Sequence, residues 1–197
     1  MIKRFNRFEL KYIITAAQRD LLVPEILKQM RPDVAASPNG VYAVTSLYYD
    51  TVDRAFMRAK IEGIKFRRKL RIRCYGQVQG EDPKVAVEIK QRINRTTQKR
   101  RLFVPLATAY TLCAGAEPLL ADPDDQRVAG EVVFLARALL LQPTCVVGYL
   151  RHAFVGGPYE PGLRVTLDHA LWASIATSGL STREPRHALL RPDLLVM

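Results

Sequence analysis

In six strand-length stretches of this chain, charged side chains recur at every second residue and apolar ones fill the positions between. Lys69, Arg71 and Arg73 alternate with Leu70, Ile72 and Cys74, and Glu88 and Lys90 alternate with Val85, Val87 and Ile89 on the opposite parity. Lys99 and Arg101 oppose Leu102, Arg151 opposes Leu150, and Arg164, Thr166 and Asp168 oppose Val165 and Leu167. Near the start, Arg7, Glu9 and Lys11 oppose Phe8, Leu10 and Tyr12. Successive side chains of a strand point to opposite faces, so this is the pattern of half-buried antiparallel strands. It predicts a sheet with one face packed on a core and the other lined by cations.

Ten of the charged positions are basic and three acidic, which leaves that face at +7. Any one of these stripes is an ordinary solvated sheet face. Six sharing one parity are not, because like charges opposite each other on neighbouring strands destabilise a sheet and natural surfaces intersperse the two signs. An anionic partner is expected to compensate them.

The chain has 197 residues with a net charge of +11, 48% hydrophobic and 25% charged residues, which fits a single globular domain over residues 1–197. These proportions exclude a disordered tail, a collagen-like repeat and a coiled-coil rod. The longest apolar stretch, residues 132–141, is broken by Arg137 and falls short of the roughly 20 residues that cross a bilayer. The basic N-terminal ten residues are followed by no apolar signal region. A cytoplasmic protein without a membrane span is the expectation. Cys74, Cys113 and Cys145 are widely spaced and read as free thiols, and His152, His169 and His187 lack metal-ligand spacing.

Strands are predicted over residues 5–14, 41–49, 64–75, 84–92, 98–104, 145–155 and 163–171, with another beginning at 194–197. Thr15 and Gln18 form a capping-box signature for a helix that Pro24 kinks before Met30. Residues 31–40, with Pro32, Pro38 and Gly40, read as a loop. Asp50 and Thr51 offer caps for a short helix ending at Gly63, and residues 106–114 form a further helix. Asp122 caps a helix that starts at Pro123 and carries Val128, Val132, Leu135 and Leu139 at helical spacing, with Asp124 and Asp125 complementing its dipole. Trp172 is assigned to core packing, and Arg183, Arg186 and Arg191 to a solvated tail. The fold class is α+β, dominated by an antiparallel sheet.

If the sheet closes into a barrel with its helices outside, the cationic face becomes a lumen suited to a polyanion. Arginine offers a planar fork to phosphate oxygens and lysine a point charge, and excluding water strengthens both. Glu9, Glu88 and Asp168 work against phosphate binding taken alone. They make sense if they hold a divalent cation, Mg2+ or Mn2+, that bridges the phosphates.

Several of these segments, in order, resemble the VTC domain of the polyphosphate polymerase family, within the wider group of triphosphate tunnel metalloenzymes that includes the CYTH proteins. The segments are residues 7–12 (RFELKY), 46–51 (SLYYDT), 69–73 (KLRIR) with Tyr75-Gly76, Glu88-Ile89-Lys90 followed by Lys99-x-Arg101, Tyr149-x-Arg151-x-Ala153-Phe154, and 163–168 (LRVTLD). The resemblance implies an eight-stranded antiparallel β-barrel, a tunnel that binds a nucleoside triphosphate or a growing polyphosphate. Lys11, Arg71, Arg73, Lys90 and Arg151 would then serve the chemistry, Lys69, Lys99, Arg101 and Arg164 the binding of substrate, and Glu9, Glu88 and Asp168 the metal. The family pattern has a further strand bearing E-x-K, whose glutamate is a metal ligand, and the sequence stops at Leu194–Met197 where it would begin. Truncation, or loss of part of the metal site and wall, are the two readings of that difference.

Three functions are open to such a chain. The first is metal-dependent transfer of the terminal phosphoryl group of a nucleoside triphosphate, ATP, to inorganic polyphosphate, with water as acceptor making the same site a triphosphatase. The second is a polyphosphate- or nucleotide-binding module without turnover. Nucleic-acid binding ranks third, because mainly Phe103 and Tyr149 among the aromatics share the basic parity. No nucleic acid is therefore expected, and a membrane-bound partner stays open.

Overall fold

A computed structural model describes residues 9–34, 37, 39–76, 82–94, 96–158, 160–176, 179–180 and 185–197. In chain order the elements are β1 (Ile13–Thr15), α1 (Ala16–Gln29), β2 (Met30–Pro32), β3 (Val41–Asp50), α2 (Ala55–Ile61), β4 (Phe66–Tyr75), β5 (Lys84–Ile93) and β6 (Thr96–Pro105). There follow α3 (Leu106–Cys113), α4 (Pro123–Ala138), β7 (Gln142–Gly156), β8 (Arg164–Ile175), β9 (His187–Ala188) and β10 (Leu194–Val196). The strands form one antiparallel sheet in the order β1-β10-β8-β7-β3-β4-β5-β6, with β2 added to β7 and β9 to β8. No helix among the described residues is long and apolar enough to cross a membrane.

The alternation predicted from the sequence decides which side of the sheet is buried. Leu70, Ile72 and Cys74 of β4, Val85, Val87 and Ile89 of β5, and Leu102 and Val104 of β6 pack against Leu112 and Cys113 of α3 and Val132, Val133 and Leu135 of α4. A second cluster places Phe154 of β7, Leu167 of β8 and Leu195 of β10 under Val23 and Ile26 of α1. The helices therefore cover the apolar face, and the charged face stays uncovered. Trp172 joins the first cluster and lies over Gly148, where a Cβ would overlap the indole; the Arg186 guanidinium stacks on its ring at 4.2 Å.

Local signals hold where they are chemically specific. Thr15 and Gln18 form the complete capping box of α1, which runs through Pro24. Asp122 accepts from the backbone N–H groups of Asp124 and Asp125 at the start of α4. Arg54 is the N-cap residue of α2 without a side-chain cap, yet Thr51 Oγ1 accepts from Ala55 N and the Asp50 carboxylate from Phe56 N and Met57 N. The two expected capping residues thus act from upstream, and Gly63 takes φ +71° after the helix.

Three features differ from the sequence reading. Residues 30–32, placed largely in a loop, form β2 on the β7 ladder, where Pro32 sits at the sheet margin. Of the strand expected over 5–14, only Ile13 and Ile14 lie in β1; residues 9–12 precede it without regular structure, Tyr12 exchanging backbone hydrogen bonds with Met197, and 5–8 lie outside the described residues. Leu10 and Tyr12 are exposed, so the apolar side of this segment does not reach the core. The barrel is also not closed: no pairing joins β1 to β6 among the described residues.

The sheet is nonetheless strongly curled. Six strand steps separate β1 from β5, which in a flat sheet is about 29 Å at ~4.8 Å per step. Glu9, four residues before β1, nevertheless lies 3.8 Å from Lys90 of β5. The charged face is therefore the inside of a trough whose ends approach each other.

Candidate functional site

Strand parity gives each wall of the trough its polar residues. Beta-4 supplies Lys69, Arg71 and Arg73 because Leu70, Ile72 and Cys74 are held in the core. Glu88 and Lys90 come from β5, Lys99 and Arg101 from β6, Arg151 from β7, and Arg164 and Asp168 from β8. Arg7 lies outside the described residues.

At the centre is Glu88, with a side chain only 1% exposed. Its Oε2 accepts from Arg71 Nε at 2.7 Å, and its Oε1 meets Lys99 Nζ at 2.7 Å and the Arg101 guanidinium. The ladder produces this convergence, since Arg71 and Arg101 are the direct cross-strand partners of Glu88 on its two sides. Burial raises the Glu88 pKa, but Arg71, Lys99 and Arg101 outweigh it and bring the carboxyl down to about 2. At neutral pH the group is an anion bound by three cations, and the cluster keeps a positive surplus.

Neighbouring polar groups orient the guanidinium groups. Arg71 Nη1 donates to the Tyr48 hydroxyl at 3.1 Å, buried Arg73 donates through Nε to Ser46 Oγ at 2.9 Å, and Arg101 Nη2 donates to the Tyr75 hydroxyl at 2.9 Å. Arg151 makes a two-pronged pair with Asp168, with both contacts at 2.7 Å, and lies over the Tyr149 ring. Arg164 pairs with Asp33 at 2.8 Å and donates to the Tyr42 hydroxyl. Fixed guanidinium planes of this kind are suited to forked contacts with phosphate oxygens.

The trough brings its walls into one electrostatic space. Arg73, Arg151, Asp168 and Arg71 all act on the Tyr149 hydroxyl, whose pKa is raised chiefly by burial. Glu9 meets Lys11 at 3.5 Å and Lys90 at 3.8 Å. Its pKa is raised by burial, but Lys11, Lys90 and Arg151 more than reverse this and leave it below the ordinary value. Arg71, Lys90 and Arg151, far apart in sequence, thus face a common interior.

Not every cation is neutralised. Among the described residues Lys69 and Arg73 have no carboxylate partner, and Lys90 has only the 3.8 Å contact with Glu9. The Lys69 ammonium is pushed below its ordinary pKa by burial and, against the pull of Tyr48, by Lys90, Arg71 and Lys60. Burial also lowers Lys99, with Arg101 and Arg71 adding to it and Glu88 opposing. Lysines held this way gain from an added anion.

The three expected metal ligands are not equivalent. Both oxygens of Glu88 and both of Asp168 are held by cations, and among the described residues no three His, Cys, Asp or Glu side chains come together as a metal cage. Glu9 is 57% exposed and only loosely paired. Mg2+ and comparable hard cations use one or two carboxylates together with substrate phosphates and water. The donor set fits such an ion met by Glu9, and does not fit an ion held by protein oxygens alone.

Sequence reasoning did not single out Tyr42, Ser46, Tyr48, Tyr75 and Asp33 as partners of the arginines. Parity could have found Ser46 and Tyr48, which alternate with Leu47 and Tyr49 of the core. No local signal points to Asp33, which meets Arg164 only through the tertiary fold.

Three comparisons with known proteins bear on this chain. A family model described as VTC domain matches residues 6–196. Among solved structures, a candidate adenylate cyclase from Bacillus halodurans is similar over 95% of this chain and 76% of its own, at 11% identity and a TM-score of 0.46. A candidate adenylyl cyclase from Hippeastrum, described as revealing a dominant triphosphatase activity, is similar over 84% of this chain and 70% of its own, at 12% identity and a TM-score of 0.39. No curated protein sequence matches the chain.

Proposed function

The chain belongs to the VTC domain family, and from that premise we propose that it transfers the terminal phosphoryl group of a nucleoside triphosphate, ATP, to inorganic polyphosphate within the cationic trough. The observation that carries this reading is the convergence of cations from five strands on one concave space, several of them without a full carboxylate partner among the described residues. Such a space lowers the energy of a bound triphosphate and of the charge that spreads over it in the transition state.

The reaction needs no side-chain nucleophile. An oxygen of the terminal phosphate of the polymer attacks the γ-phosphorus, a new P–O–P bond forms, and the bond from the γ-phosphorus to the β,γ-bridging oxygen breaks, so that the pair of electrons leaves with the nucleoside diphosphate. In this reading Lys11, Arg71, Arg73, Lys90 and Arg151 align the reacting phosphates, and Lys69, Lys99, Arg101 and Arg164 hold the rest of the chain. Glu88 acts through its neighbours: it keeps Arg71, Lys99 and Arg101 at fixed positions. Mn2+ or Mg2+, met by Glu9, would supply further neutralisation of the phosphate oxygens. With water as acceptor the same arrangement releases phosphate as a triphosphatase.

A binding module without turnover is the second reading. It is favoured by Arg71, Arg101 and Arg151 already being engaged by Glu88 and Asp168. Incubation with ATP and Mn2+, with free phosphate and chain length both measured, separates the readings. Lengthening of polyphosphate with matching loss of ATP is the expected result. Phosphate release without lengthening would make the protein a triphosphatase, and retention of ATP without either product would leave the binding module.

A further inference from the structure

The cationic rows do not stop at the trough. On β4 the parity of Lys69, Arg71 and Arg73 extends back to Arg67, and on β5 the parity of Glu88 and Lys90 extends forward to Arg92. Arg67 and Arg92 stand directly opposite each other in the ladder. Both line an open cavity of about 990 Å3 beside the β5–β6 turn, to which Lys60 of α2 and Lys65 of the α2–β4 connection also contribute. Among the described residues no carboxylate lines this cavity, and none of the four cations is in a salt bridge.

Like charges facing each other on paired strands destabilise a sheet, so Arg67 opposite Arg92 is a feature that an anion would relieve. The two groups of cations share one field, since Lys60 contributes to lowering the pKa of Lys69 at the near end of the trough. The six residue-to-residue steps from Arg67 to Arg73 span about 20 Å of strand. A triphosphate, three phosphorus atoms joined by two oxygens, is too short to touch both ends of that row. At the opposite end stand the aromatic rings of Tyr75 and Phe103, each under the Arg101 guanidinium.

We propose that this mouth is a second phosphate-binding site, which holds an inorganic polyphosphate chain where it continues beyond the trough. The inference rests on the function proposed above and adds a direction to it: the polymer runs out past α2 and the β5–β6 turn. Lys60, Lys65 and Arg92 are exposed, so replacing them leaves the core untouched.

The test is calorimetric titration of the intact chain, wild type and Lys60→Gln/Lys65→Gln/Arg92→Gln, with sodium tripolyphosphate and with a long-chain polyphosphate at one ionic strength. The wild type is expected to bind the long chain about tenfold more tightly than tripolyphosphate, since several exposed ion contacts of modest strength add up. The triple variant is expected to keep its tripolyphosphate affinity and lose that tenfold preference. A variant that retains the preference, or a wild type that shows none, overturns the proposal. A variant that loses both ligands equally overturns it too, because the mouth would then be no separate site. A wild type that binds neither ligand refutes the function proposed above, and the mouth falls with it.

Discussion

Replacing Glu88 with glutamine is expected to lower the melting temperature by about 6–20 °C, and tripolyphosphate is expected to restore more of that loss than it adds to the wild type. The side chain is 1% exposed and faces Arg71, Lys99 and Arg101. Removing one partner from a buried ionic cluster costs about 3–5 kcal/mol, and in a domain of this size each kcal/mol moves the midpoint by about 2–4 °C. Glutamine keeps the volume and removes the charge, so three cations are left to repel one another. An added polyanion supplies what was removed. The pH dependence follows from the same group, whose pKa falls from 4.5 to about 2 on folding. A carboxyl lowered by folding contributes its stability above the unfolded value and loses it as the pH falls through the folded one. About 3 kcal/mol, at ~1.4 kcal/mol per pK unit, is therefore present above pH 4.5 and disappears towards pH 2 in the wild type, and is missing throughout in Glu88→Gln. Acid unfolding followed by circular dichroism reads both effects; equal midpoints for the two proteins at neutral pH would show that the cluster contributes nothing.

Lys90→Ala is expected to weaken tripolyphosphate binding roughly 10- to 150-fold, the equivalent of one charge-assisted hydrogen bond of about 1.5–3 kcal/mol, while changing stability by no more than about 0.5 kcal/mol. Lys90 is 48% exposed and its carboxylate contact is the 3.8 Å approach to Glu9, so its removal leaves no buried charge unpaired. Arg71→Ala differs in this respect. It withdraws a cation from the Glu88 cluster and the Tyr48 hydrogen bond, so affinity and stability fall together. Titration calorimetry beside urea denaturation distinguishes the two variants, and an unchanged affinity in Lys90→Ala would remove this lysine from the site.

The parity of charged and apolar residues was enough to place the cations on one face, because the period of a strand is a local property. Sequence was also sufficient for the Thr15 capping box and the Asp122 cap, where a short polar side chain satisfies backbone groups a few residues away. What each carboxylate does was not legible. Glu88 beside a metal and Glu88 beside three cations demand the same strand parity, and the difference lies in residues brought up by neighbouring strands. Arg100 shows the converse case: it breaks the apolar parity of β6 and pairs with Glu131 of α4 on the helix side of the sheet. The curl of the sheet was implied by the family resemblance and not by the strand pattern itself, since only tertiary structure brings Glu9 to Lys90.

A trough built this way should receive a linear phosphate polyanion on its own. Thermal unfolding with and without sodium tripolyphosphate, at matched ionic strength and without ATP or metal, tests it most directly. A ligand that binds only the folded chain stabilises it by about 2.7 kcal/mol at a hundredfold excess over its dissociation constant, so the midpoint should rise by about 5–11 °C. A midpoint that stays in place when tripolyphosphate replaces an equivalent of sodium chloride would contradict it.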